Sequence, residues 1–120
     1  MNININIEKY DYVEWEKLIP FQPDDFKHQT KDQLDKLKQS LKQNGFKSPF
    51  HVWENKDKIY VLDGHHRIPA MKLLIEEGVN VPPSLPAVFI KCKDKKEAKK
   101  AVLLYNAHYA KINNDVLMDW

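Results

Sequence analysis

The sequence predicts a small α/β (α+β) domain, a mixed sheet with helices packed on it. Two β-branched runs, Pro49 to Glu54 and Lys58 to Asp63, flank Asn55-Lys56-Asp57, which is hairpin chemistry. Leu34, Leu37 and Leu41 recur at helical spacing. Strand-like and helix-like segments alternate along the chain, the order expected when helices pack on a sheet.

In chain order, Ile3, Ile5 and Ile7 alternate with Asn2, Asn4 and Asn6, which reads as a half-buried strand. Residues 11–19 read as a second extended stretch, broken by Pro20 and Pro23, with a loop over 20–29. A helix begins at Thr30, where Thr30 and Gln33 form the capping-box pattern, and ends at Asn44-Gly45. Its leucine stripe reads as core, not as a cofactor site. In the hairpin, Phe50, Val52, Ile59 and Val61 share one face, with Trp53 and Tyr60 on the other. An apolar helix follows through Met71, Leu73, Leu74 and Ile75, closed by Gly78. Pro82, Pro83 and Pro86 mark a stiff connection, and Leu85 to Cys92 reads as a strand. Asp94 and Glu97 repeat the capping pattern before Ala98, Ala101, Val102, Leu104 and Tyr105. Asn113-Asn114-Asp115 caps a further turn, and the amphipathic start at Val116, Leu117 and Trp120 reads as a helix continuing past the end. The expectation is one domain over residues 1–120, the N-terminal part of a longer protein.

At 120 residues the chain matches a single domain. Its hydrophobic share of 42% and charged share of 30% exclude a disordered tail. No apolar run approaches the roughly 18 residues of a membrane span, and Met1 to Ile7 lacks the form of a signal peptide. One cysteine, Cys92, excludes an internal disulfide and fits a reducing, cytoplasmic compartment; it reads as a buried strand residue, not a thiolate. The net charge of +2 is no nucleic-acid footprint. Lys91, Lys93, Lys95, Lys96, Lys99 and Lys100 read as a solvated helix face. Of the 19 basic residues, 18 are lysines and one is an arginine, Arg67. Where lysine is the default cation, a lone arginine points to a planar fork of donors.

Arg67 lies in the segment with the strongest local signal: strand, Asp63-Gly64-His65-His66-Arg67-Ile68-Pro69-Ala70, helix. Gly64 permits a positive φ and a close ligand approach. The helix start offers open amides and the positive end of its dipole. Arg67 supplies a fork for two phosphate oxygens, and Pro69 suits the first helical turn. His65 and His66 are candidate acid–base groups, although no nucleophile is evident beside them. No HxxxH or CxxC spacing supports a metal site at this pair.

These residues resemble the ParB/sulfiredoxin superfamily, specifically the ParB N-terminal-like domain. Leu34 to Val52 is similar to that family's helix, Asn-Gly stop and Pro-apolar-x-Val strand. Gly64, Arg67 and Ala70 match its Gly-x-x-Arg-x-x-Ala pattern, and Leu103 to Ile112 resembles its later Asn-containing box. The DGHHR form is closer to phosphotransferase-like and phage-type members, the latter often accompanying DNA methyltransferases. The resemblance implies a cleft holding nucleotide phosphates, with ATP or CTP as the nucleotide. Asp63, Gly64, His65, His66 and Arg67 would hold the phosphates there. Asn106 and His108 would stand near the phosphate end, Asn106 with a Mg ion, and Lys47 to Pro49 would approach the base.

The resemblance also implies nucleotide or DNA as partner, a methyltransferase domain in the same or a neighbouring chain, and a homodimer as a candidate assembly. Sulfiredoxin needs a cysteine after the motif glycine; His65 stands there, so sulfinate repair is excluded. ParB proper carries a Glu and several Arg in this loop and an Arg after the later box, where this chain has His, uncharged residues and Tyr109. Serine-phosphorylating relatives use an N-terminal Glu, for which Glu14 and Glu16 are candidates. The leading expectation is a binding module for nucleotide or nucleic-acid phosphate, tied to DNA modification or mobile elements. A phosphotransferase or nuclease in the same cleft, and a non-catalytic interaction module, are the alternatives.

Overall fold

The computed structural model describes residues 1–21 and 29–105. Strand β1 spans Ile7–Glu14, a 3-10 turn spans Trp15–Lys17, and β2 is Ile19–Pro20. Helix α1 spans Lys31–Asn44, β3 Phe50–Asn55, β4 Lys58–Asp63, α2 Arg67–Glu76 and β5 Ser84–Ile90. Residues 95–105 are helical and are labelled α3. The five strands make one mixed sheet in the order β1-β5-β3-β4-β2, so the predicted α/β class holds.

The hairpin forms where expected. Lys56 and Asp57 both take positive φ, 52° and 64°, as a two-residue turn of the favoured hand requires. Its faces divide as the alternation predicts. Phe50, Val52 and Val61 are buried in one core with Val13, Trp15, Leu18, Met71 and Phe89, and Ile59 packs on its edge. Trp53 and Leu62 lie in a second cluster with Ala98 and Val102 of α3, joined by Tyr60.

Strands β1 and β2 are opposite edges of the sheet, yet only Trp15 to Leu18 separate them. Five flat strands about 4.8 Å apart would put the edges about 19 Å from each other. A tight turn cannot span that, so the sheet curls round its core. Trp15 sits inside the curl, fully buried, and its Nε1 donates to the Pro82 carbonyl at 2.8 Å. The expected extended stretch over 11–19 is therefore split by this turn.

Four more expectations change. Ile3 and Ile5 are 94% and 79% exposed and outside any strand: β5 ends at Ile90, the partner of Ile7, and Lys91 N–H to the Asn6 carbonyl is the last bond to this segment among the described residues. Pro20 does not break the chain but lies in β2, paired with Val61 at the sheet edge. Pro86 belongs to β5 rather than to the connection before it. Its missing donor is tolerated there. Tyr12 N–H is taken by Asp11 Oδ1 at 2.7 Å, so Tyr12 and its partner Pro86 do not exchange strand hydrogen bonds. The Pro86 nitrogen thus faces the side of β3, whose pairing begins only at Ala87. Lastly, the strand stops before Cys92, which is half-buried beyond it.

Helix α1 starts with both halves of the capping box: Gln33 N–H donates to Thr30 Oγ1 at 3.1 Å, and Thr30 N–H to Gln33 Oε1 at 3.0 Å. It buries no residue fully, and Leu34, Leu37 and Leu41 are half-buried, so the stripe is not the closed core expected. Lys38 and Lys42 reach Glu77 just past α2 and hold the two helices together. At α3, Glu97 N–H donates to Asp94 Oδ1 at 3.0 Å, while the Glu97 carboxylate accepts from Lys93 N–H at 2.6 Å. The expected cap is present, with its return bond one residue earlier than a capping box places it. Among the described residues no helix is long and apolar enough to cross a membrane. The expectations over 106–120, including the turn at Asn113 to Asp115 and the helix start at Val116, lie outside the described residues.

Candidate phosphate-binding site

Strand β4 delivers Asp63 to the turn, Gly64 follows with φ +101°, and α2 begins at Arg67. The Arg67 side chain folds back over the turn. Its guanidinium carbon lies 4.5 Å from the Phe46 ring centre and 4.8 Å from that of Phe50, and Nη1 donates to the Ser48 carbonyl at 2.5 Å. A Cβ on Gly64 would collide with Arg67 Nη2 and come within 2.9 Å of Phe50 Cδ1. The positive φ disfavours any other residue here, and the arginine three residues on folds its fork into the place of the missing side chain. That is a physical reason for the Gly-x-x-Arg spacing besides the approach of a ligand.

The helix start differs from expectation. Arg67 N–H donates to the Gly64 carbonyl at 3.1 Å and Ile68 N–H to that of His65 at 3.2 Å. Pro69 has no N–H. The first three helical positions therefore hold no open amide for an anion, and the charge at this end of α2 comes from the Arg67 side chain.

A hollow of about 460 Å³ opens beside this loop, within the size range of small-molecule sites. It is lined by Asp63, Gly64 and Arg67 of the loop, by Lys47 and Ser48, and by Leu37, Leu41 and Asn44 of α1. Leu37 and Leu41 thus give the hollow an apolar lining, so the stripe expected to be core alone also borders a candidate ligand site, beside the cations Lys47 and Arg67 and the carboxylate of Asp63. His65 and His66 are half-buried in the loop, their rings 4.3 Å apart, and do not line the hollow. Pro49 is also absent from its wall, whereas Lys47 and Ser48 are present. Asn106 and His108 lie outside the described residues. Glu14 pairs with Lys17 at 2.7 Å and lines a separate hollow with Asp57 and Lys58, while Glu16 is exposed; neither lines the Arg67 hollow. Among the described residues, no group of three or more His, Cys, Asp or Glu side chains is placed to hold a metal.

One residue at this end of the sheet was missed by the sequence reading. His51, second in β3, shares the Trp53 face by strand alternation and is in register with Asp63. Its Nδ1 lies 2.9 Å from the Tyr105 hydroxyl. Burial pushes its pKa below the ordinary value; the Asp63 charge opposes that shift and the Arg67 charge adds to it. The available signal was its parity: a histidine one strand step from Trp53 and opposite the motif aspartate. Burial, aided by Glu97 and Asp94, pushes the Cys92 thiol up, which keeps it protonated at neutral pH.

The family model of the ParB N-terminal domain matches residues 3–107. The chain belongs to that family. The fold of this ParB N-terminal domain is similar to the C-terminally truncated chromosome-partitioning protein ParB from Caulobacter crescentus, complexed with CTP-gamma-S. There the TM-score is 0.63 at 17% identity, over 83% of this chain and 53% of that one. It is similar to sulfiredoxin from Arabidopsis thaliana, with TM-score 0.56 and 23% identity, over 79% of this chain and 97% of that one. A Pnob8-like ParB-N domain gives TM-score 0.55 and 21% identity, over 82% of this chain and 37% of that one. At these identities the likeness establishes the fold. The chain spans about half the length of that truncated Caulobacter chain. No curated protein matches the sequence significantly.

Proposed function

We infer that this ParB N-terminal domain is a nucleotide-binding module that grips phosphate through the Gly64–Arg67 loop. The observation that carries the reading is the placement of Arg67, the chain's one arginine. It is folded over Gly64 at the rim of a hollow that also carries Lys47. A guanidinium held by a carbonyl and two ring faces keeps its planar shape and its charge, which suits a phosphate pair. The apolar wall from Leu37 and Leu41 suits a base or sugar face. Among triphosphates CTP is the first to try, because the Caulobacter relative is complexed with CTP-gamma-S; ATP is the second. Asp63 with nucleotide phosphates fits the habit of Mg, which takes one or two carboxylates plus phosphate oxygens. Asp63 would hold it, and bound there it would neutralise phosphate charge. His65 and His66, in the same loop, are the candidate groups for any chemistry on the bound phosphates. DNA, a neighbouring methyltransferase and a mobile-element setting are the wider context that the DGHHR resemblance suggests, in a cytoplasmic protein.

Thermal unfolding with and without CTP and Mg tests the reading. At about 100 times its dissociation constant the nucleotide should add about 2.7 kcal/mol of stability. Arg67→Ala should abolish the shift while the variant still unfolds cooperatively. No shift with CTP or ATP, or an undiminished shift in Arg67→Ala, would overturn it. Phosphate release by the wild type, lost in His66→Ala with binding retained, would replace the binding module with an enzyme.

A further inference from the structure

Exposed apolar side chains gather at one edge of the sheet. Met1, Ile3, Ile5, Ile7, Tyr10 and Tyr12 are six of the nine large hydrophobics exposed among the described residues, and all lie in β1 or its lead-in. Tyr10 is 73% and Tyr12 67% exposed. Strand β5 takes one edge of β1, and among the described residues no strand pairs with the other. Past the irregularity between Ile7 and Lys9 the register is regular. There the backbones of Tyr10 and Tyr12 face outward, since Tyr12 and Pro86 exchange no strand hydrogen bonds and bonded pairs alternate. Such an edge is a template for another strand.

We propose that the free edge of β1 docks a second copy of this chain, antiparallel, with Tyr10 opposite its own counterpart on a two-fold axis. The two five-stranded sheets then join into one. Charge selects both the occupant and the register. In a two-fold antiparallel pair, outward-facing residues meet outward-facing ones, so the axis passes through one residue of β1. Centred on Lys9 or Asp11, the pair sets like charges directly opposite, which destabilises it. Centred on Tyr12, it leaves Asp11 opposite Val13. Centred on Tyr10, it sets Lys9 opposite Asp11 of the second copy, and symmetry repeats the pair. Both side chains are free to take this role. Lys9 is half-exposed, with Nζ 4.0 Å from Glu54, the outer limit of an ion pair. In the single chain Asp11 Oδ1 accepts from Tyr12 N–H at 2.7 Å and so covers one donor of the free edge. A second strand offers that donor a carbonyl and releases Asp11 to Lys9.

The space beside the edge agrees. A hollow of about 370 Å³ joins Tyr12, Val13 and Glu14 to the hairpin turn at Asp57 and Lys58. Leu18, Ile19 and Ile59 also line it. A copy centred on Tyr10 runs its own lead-in, with Ile5 and Ile7, toward this end of β1. Isoleucines left uncovered in the monomer then meet an apolar lining in the dimer. No residue of this surface lines the Arg67 hollow, so the proposal is independent of nucleotide binding.

Sedimentation equilibrium without nucleotide tests it, on the wild type, Lys9→Asp, Asp11→Lys and the double reversal. The wild type should dimerise. Each single reversal should weaken the dimer by about tenfold or more, because it opposes like charges at two symmetric positions. The double reversal should restore the dimer, since it exchanges the signs and keeps them opposed. Both side chains are exposed, so the monomers should keep the wild-type circular dichroism. A wild type that stays monomeric to millimolar concentration would leave the edge to a strand of a different partner and overturn the proposal. A dimer that the single reversals leave intact, or that the double reversal fails to restore, overturns it equally.

Discussion

Gly64 and Arg67 act as one unit at the residue scale. The glycine's φ of +101° is one that other residues rarely adopt, and a Cβ there would meet the folded arginine and the Phe50 ring. Gly64→Ala should therefore cost about 1–3 kcal/mol of stability, the usual scale of a strained backbone position. It should also displace the guanidinium from Phe50 and weaken nucleotide binding in step with Arg67→Ala. Chemical denaturation and CTP titration of the single variant check both. A fully stable variant would show that the loop can reshape without the arginine. The spacing of this pair was legible in sequence because Gly-x-x-Arg is local. The direction of the arginine was not, because it is set by Ser48, Phe46 and Phe50, about twenty residues earlier. His51 was missed for the same reason: its partners, Asp63 and Tyr105, are brought to it by the sheet register and by α3.

Elements whose signals are self-contained formed where their residues predicted them. The Thr30–Gln33 box and the Asn55 to Asp57 turn need only their own neighbours, and both are present. Thr30→Ala should cost about 1 kcal/mol by exposing an amide of the first turn, read as a lower urea midpoint with unchanged slope. The Ile3–Ile5 alternation failed because a strand also needs an edge to pair with, and the pairing with β5 and the residue after it reaches only to Asn6. Replacing Ile3 and Ile5 with serine should thus leave stability within about 0.5 kcal/mol, as for exposed sites without partners. The α1 stripe is an instructive mixture. Its periodicity identified the helix, but a half-buried stripe serves both to pack the helix and to wall the hollow. Hydrophobic period alone cannot divide those two uses.

For the whole molecule, the curl of the sheet brings the relevant pieces together. Trp15 fills the curl, β3 and β4 run antiparallel so that the start of one meets the end of the other, and α1 closes over that end. The class of fold was legible because strands and helices alternate along the chain; the strand order was not, since it depends on which buried faces meet. The family match over residues 3–107 agrees with the motif spacing, and the solved neighbours agree on architecture. Charge matters here by placement. A total of +2 says little, whereas one arginine and Lys47 share a rim with a single carboxylate. The most direct measurement is a crystal structure grown with CTP and Mg. A triphosphate is expected in the hollow, with phosphate oxygens within about 3 Å of the Arg67 guanidinium, the usual reach of a charge-assisted hydrogen bond. A nucleotide bound at saturation elsewhere on the surface, with Arg67 still making no phosphate contact, would contradict it.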